Sequence, residues 1–84
     1  MPSVNRLVLD VLKPHQPNAL EFAYRLATVN AGQVKVTVLA VDEHTESLQV
    51  EIMGDELLFD QIQASMTEMG ASLHSIDEVE VNSD

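Results

Sequence analysis

Along this chain the spacing of apolar residues switches between two periods, and the order of those periods leaves few folds open. "NRLVLDVLK", Asn5–Lys13, repeats every second residue. Leu7, Leu9 and Val11 fall on one side and Arg6, Val8, Asp10 and Leu12 on the other, as in a strand with one buried face. "PHQPN" interrupts it, because proline has no ladder donor. The period then lengthens. Over Ala19–Asn30, Leu20, Ala23, Leu26 and Ala27 form one helical stripe, widened by Phe22 and Val29. Asn18 is placed to cap the first turn, with Glu21 completing a capping box, and "NAG", Asn30–Gly32, to stop the helix.

Alternation returns in "QVKVTVLAVDE", Gln33–Glu43. Val34, Val36, Val38 and Ala40 face one way, Lys35, Thr37, Leu39 and Val41 the other. "DEHTES" supplies turn residues, and "LQVEIM" alternates again through Leu48, Val50 and Ile52, so the two strands read as a hairpin. The second helix takes Asp55 as its cap, Glu56 in its first turn and Gly70 as a left-handed terminator. Leu58, Ile62, Met66 and Met69 make its stripe, with Leu57 and Phe59 beside it. "SLHSIDEVEV", Ser72–Val81, is the last strand, and Asn82, Ser83 and Asp84 are expected to fray.

The resulting order, β-α-β-β-α-β, predicts an α+β fold of the ferredoxin-like class. Both helices cover one face of a four-stranded antiparallel sheet. Right-handed crossovers place the first strand centrally with the last beside it. Residues 1–84 are expected to form one domain.

Composition removes several functions. Fourteen acidic residues against four basic ones give a net charge of −10. That argues against nucleic acid and anionic membranes as partners, and is compatible with cations, basic partners or an acidic, soluble surface. The chain has no cysteine, hence no disulfide, thiolate metal centre or cysteine nucleophile. No apolar run approaches the roughly 20 residues of a membrane span. "MPSVNRLVLDVLKPH" lacks the pattern of a signal peptide, so a cytoplasmic location is expected. The three glycines are isolated, no serine sits in a nucleophile elbow, and the loop after the first strand has neither the arginine and glycines of an acylphosphatase nor the Cys-x-x-Cys of a copper chaperone. No enzyme is expected.

The predicted open face of the sheet carries Val8, Leu12, Leu39 and Val41 among Arg6, Asp10, Lys35, Thr37, Gln49 and Glu51. Scattered exposed aliphatics are ordinary, but a domain this small gains proportionally from shared burial. A homo-oligomer is the expectation. If the first and last strands pair, Asp10 comes near His74, Asp77 and Glu78. Strand parity puts His74, Ile76, Glu78 and Glu80 on one face, and a bulge near Asp77 would re-aim one set. Carboxylates beside an imidazole suit a divalent cation, with calcium, magnesium and manganese favoured by oxygen and zinc, nickel or copper by His74. His15, held between Pro14 and Pro17, is a further candidate ligand. The alternatives are acidic strand residues paired with Arg6 or Lys35, a regulatory module holding a small molecule at a subunit interface, and a purely structural oligomer.

"RLVLDVLKPHQP" near the start and "GASLHSIDEV" near the end resemble a family of small, mainly archaeal proteins of unknown function, the domain of unknown function numbered two hundred and eleven. The matching residues are Asp10, Lys13, Pro14 and His15 in the first stretch and His74, Ser75, Asp77 and Glu78 in the second. The resemblance implies a ferredoxin-like fold, ring-like oligomers and bound metal ions, and no established reaction. This chain departs from the family in being more acidic, shorter at its end and poor in lysine.

Overall fold

The computed structural model describes residues 1–29 and 32–83. The helix stop expected at Asn30 and Ala31, and the fraying at Asp84, lie outside them. The elements are β1 (Ser3–Pro14), α1 (Ala19–Val29), β2 (Gly32–Val41), β3 (Thr45–Gly54), α2 (Phe59–Glu68) and β4 (Ser72–Asn82). They build one antiparallel sheet in the order β2-β3-β1-β4, the ferredoxin-like arrangement predicted by the periods. Among the described residues, no helix is long and apolar enough to cross a membrane.

The alternation of β1 and β3 sets the core. Leu7, Leu9 and Val11 lie beside Leu48, Val50 and Ile52, under Phe22 and Leu26 of α1 and Ile62 and Met66 of α2. The stripe of α1 is narrower than its sequence suggests. Phe22 and Leu26 are buried, whereas Leu20 is 72% exposed and Ala27 also faces solvent. Asn18 caps the helix as expected, its side-chain oxygen accepting from the Glu21 N–H at 2.9 Å.

α2 starts later than predicted. Asp55 is not its cap; the N-cap is Leu58, with no side-chain cap bond. The Leu57 N–H instead donates to the Val4 carbonyl at 2.8 Å. This extra bond to β1 accompanies burial of Leu57 and leaves Leu58 about half exposed. The far end behaves as predicted. Gly70 has φ +82°, with Ala71 N–H on the Met66 carbonyl and Gly70 N–H on that of Thr67, a Schellman closure. At the start of β2, Gly32 lies so close to the Met53 carbonyl that any Cβ would collide with it.

Bulges change the outer strands. Between Val38 and Ala40 the β2–β3 register shifts at Leu39. Ala40 therefore shares the open face with Ser47, and Val41 shares the helix side with Glu46. Val8 is only 2% exposed. The open-face apolar patch expected from Val8, Leu12, Leu39 and Val41 does not form as one surface. Uncovered apolar surface lies instead on the helix side of the edge strand β4. There Ile76, Val79 and Val81 pair with Leu9, Leu7 and Val4, yet are 47%, 51% and 57% exposed. β4 continues through Asn82, which pairs with Ser3, so fraying does not begin there.

Candidate functional site

Asp10 reaches the last strand as expected. It pairs with Ser75 of β4 and Gln49 of β3. β4 is irregular twice in this stretch: the register skips Asp77 between Glu78 and Ile76, and His74 between Ser75 and Leu73. The bulge anticipated near Asp77 is therefore present, and it turns Ile76 to the core side while Glu78 and Glu80 share the open face with Val8 and Arg6. The five candidate ligands separate. Asp10 and His74 line one depression of about 240 Å³ together with Leu12 and Ser47. Asp77 accepts a hydrogen bond from the Ser75 hydroxyl at 2.7 Å, Glu78 goes to Arg6, and His15 is held elsewhere. Among the described residues no three histidine, aspartate or glutamate side chains stand close enough to share an ion. One carboxylate and one imidazole fit part of a divalent-cation shell, and the remaining donors would have to be water or a second chain.

Arg6 organises the open face. Its guanidinium stands 3.0 Å from Glu51, 3.4 Å from Glu78 and 3.6 Å from Glu80, with Lys35 3.6 Å from the other oxygen of Glu51. The hydrogen bond from Arg6, helped by the charge of Lys35, holds the Glu51 carboxyl below its ordinary range. The pairing of acidic strand residues with Arg6 and Lys35, weighed above as the alternative to a cation site, thus accounts for Glu78.

A second cluster escaped the sequence reading. Lys13 continues the buried phase of Leu7, Leu9 and Val11, and is only 1% exposed. Its ammonium donates to the carbonyls of Pro14 at 2.9 Å and Pro17 at 2.7 Å, and pairs with Glu46 at 2.8 Å. These three short contacts take up the three donors of an ammonium, with the His15 carbonyl farther away at 3.4 Å. Glu46 also meets His15, whose Nδ1 is 3.1 Å from its second oxygen, while His15 Nε2 is 3.0 Å from the Glu43 carbonyl. Lys13 first and His15 second lower the Glu46 carboxyl; Glu46 first and the Glu43 carbonyl second raise the His15 imidazole. The cluster joins the β1–α1 loop to the hairpin turn. There Asp42 accepts from the N–H groups of His44 and Thr45, bonds that lower its own carboxyl. The signal was present: Lys13 and Glu46 both stand in phase with core residues, where a charge needs a partner.

Comparison with known proteins agrees with this architecture and supplies no activity. The chain is 42% identical over 80 residues to Uncharacterized protein MJ0319 of Methanocaldococcus jannaschii, covering 94% of this chain and 82% of that protein. A model of the DUF211 family, described as Uncharacterized ArCR, matches residues 5–83. With the two terminal stretches, the strand order and nearly the whole length in agreement, the chain belongs to the DUF211 family.

Proposed function

We propose that this chain is a non-enzymatic, cytoplasmic assembly subunit whose copies join edge to edge through β4 and β2. The observation that carries the reading is the two-faced edge of β4. Ile76, Val79 and Val81 lie uncovered on its helix side, and Glu78 and Glu80 on the other. The opposite edge, β2, has a matching pattern, with Val34, Val36 and Val38 on the helix side and Lys35 on the open side. Strand directions alternate across the sheet. A second copy in the same orientation therefore sets its β2 antiparallel to β4 and keeps both helix layers on one side. Apolar residues then meet apolar residues, and Lys35 approaches the glutamates. Unpaired edges invite such addition, and a heterologous contact of this kind closes into a ring when its rotation permits.

A second reading is supported by the shared depression of Asp10 and His74. In the assembled protein these two residues take a divalent cation, with water or a neighbouring chain completing the shell. Native mass spectrometry of chelated protein, repeated with calcium, manganese or zinc, tests both readings. A closed oligomer supports assembly, and a monomer at all concentrations overturns it. Fixed ion uptake per subunit that disappears in Asp10→Ala and His74→Ala supports the cation site; no uptake, or uptake unchanged in both variants, overturns it.

A further inference from the structure

We propose that His15 is a protonation-controlled tie between the β1–α1 loop and the tip of the β2–β3 hairpin. The geometry of its two ring nitrogens carries the argument. Nδ1 faces a Glu46 carboxylate oxygen at 3.1 Å and Nε2 faces the Glu43 carbonyl at 3.0 Å. An ionised carboxylate and a peptide carbonyl only accept hydrogen bonds. Both contacts are satisfied together only when both ring nitrogens carry protons, which makes the ring a cation. A neutral ring has one proton for two acceptors, so one contact becomes a lone pair against an oxygen and opens.

The charges around the ring favour the closed form. β1 supplies Lys13, whose ammonium is spent on the other Glu46 oxygen and on loop carbonyls. β3 supplies Glu46 itself. The hairpin turn supplies Asp42, Glu43 and His44, with His44 Nε2 3.1 Å from the Glu43 carboxylate. Three carboxylates against one lysine leave the surroundings of His15 negative, which stabilises an imidazolium. The bond to the Glu43 carbonyl reaches into the turn that Asp42 organises through His44 and Thr45. Losing the proton therefore loosens the tip from the loop, and the Asp42 turn that holds the His44 and Thr45 N–H groups opens more often.

The test is an NMR titration of the unaltered chain from about pH 5 to about pH 9, following the His15 ring. Amide exchange at His44 and Thr45, corrected for intrinsic rates, is followed over the same range. The expected His15 midpoint lies above the ordinary value of 6.5, and tip protection falls by about threefold or more through that midpoint. In His15→Gln the exchange step disappears. A midpoint at or below 6.5, or an exchange step that survives His15→Gln, overturns the proposal. The titration of the unaltered chain stands on its own even if the variant folds poorly.

Discussion

Lys13 and Glu46 are cross-strand partners on β1 and β3, both in phase with the core, and their side chains meet at 2.8 Å where the sheet passes into the β1–α1 loop. The ammonium also closes on the Pro14 and Pro17 carbonyls. Lys13→Met keeps the stem and removes the donors, leaving buried acceptors unsatisfied. We expect a loss of about 2 kcal/mol, read by urea unfolding at matched subunit concentration. A stability within error of the parent would show that the ammonium contributes nothing net.

The same cluster sets a pH window. Glu46, Glu51 and Asp42 are lowered in the folded chain. Their stabilisation is complete above the ordinary glutamate value of 4.5 and is lost as pH falls through the depressed folded values. His15 is raised, so its stabilisation is complete below 6.5 and is lost as pH rises through the higher folded value. Thermal unfolding against pH should therefore show its plateau between these limits. His15→Gln should remove the decline on the alkaline side and leave the acid limb in place.

The two faces of α1 give a sharp contrast. Phe22 is fully buried and Leu20 is 72% exposed. Phe22→Ala is expected to cost about 4 kcal/mol, and Leu20→Ala to stay within about 0.5 kcal/mol. Comparable losses in both variants would mean that the helix is rotated from the orientation described.

At the end of α2, Gly70 has φ +82° and would bring a Cβ to 3.4 Å from Pro14 Cγ. Gly70→Ala should destabilise by about 1 kcal/mol through the left-handed backbone. Gly70→Asn should lose less of that backbone stability, because asparagine tolerates the conformation better. The order of the two midpoints in urea checks this.

Assembly is tested at Val79. A lysine there places a charge on the uncovered side of β4 without entering the core, since the residue is already 51% exposed. Val79→Lys should leave monomer stability within about 0.5 kcal/mol and reduce the oligomer to monomer in native mass spectra. An unchanged oligomer would move the interface away from this strand.

The fold was legible because the two central strands pair without a break, from Arg6 with Met53 to Pro14 with Thr45. Leu7, Leu9 and Val11 on β1, and Leu48, Val50 and Ile52 on β3, hold their phase throughout. The outer strands were less legible because bulges at Leu39, His74 and Asp77 each reverse the parity beyond them, and a bulge costs one residue that no period reveals. That is why Val41 was assigned to the wrong face and Ile76 grouped with the glutamates. Asp10 and His74 were rightly placed near each other, since topology alone sets their strands side by side. The Lys13–Glu46–His15 cluster was overlooked for another reason: the lysine was read by its type, not by its position in the alternation.

The buried ammonium also fixes the electrical sense of the β1–α1 loop. Around Lys13 the peptide carbonyls of Pro14 and Pro17 turn inward, presenting oxygen where a phosphate cradle presents N–H groups. Those oxygens are held on the ammonium, so the loop's peptide units cannot turn over without breaking the bonds that satisfy it. One interior lysine thereby sets the direction of the backbone at this end of the sheet.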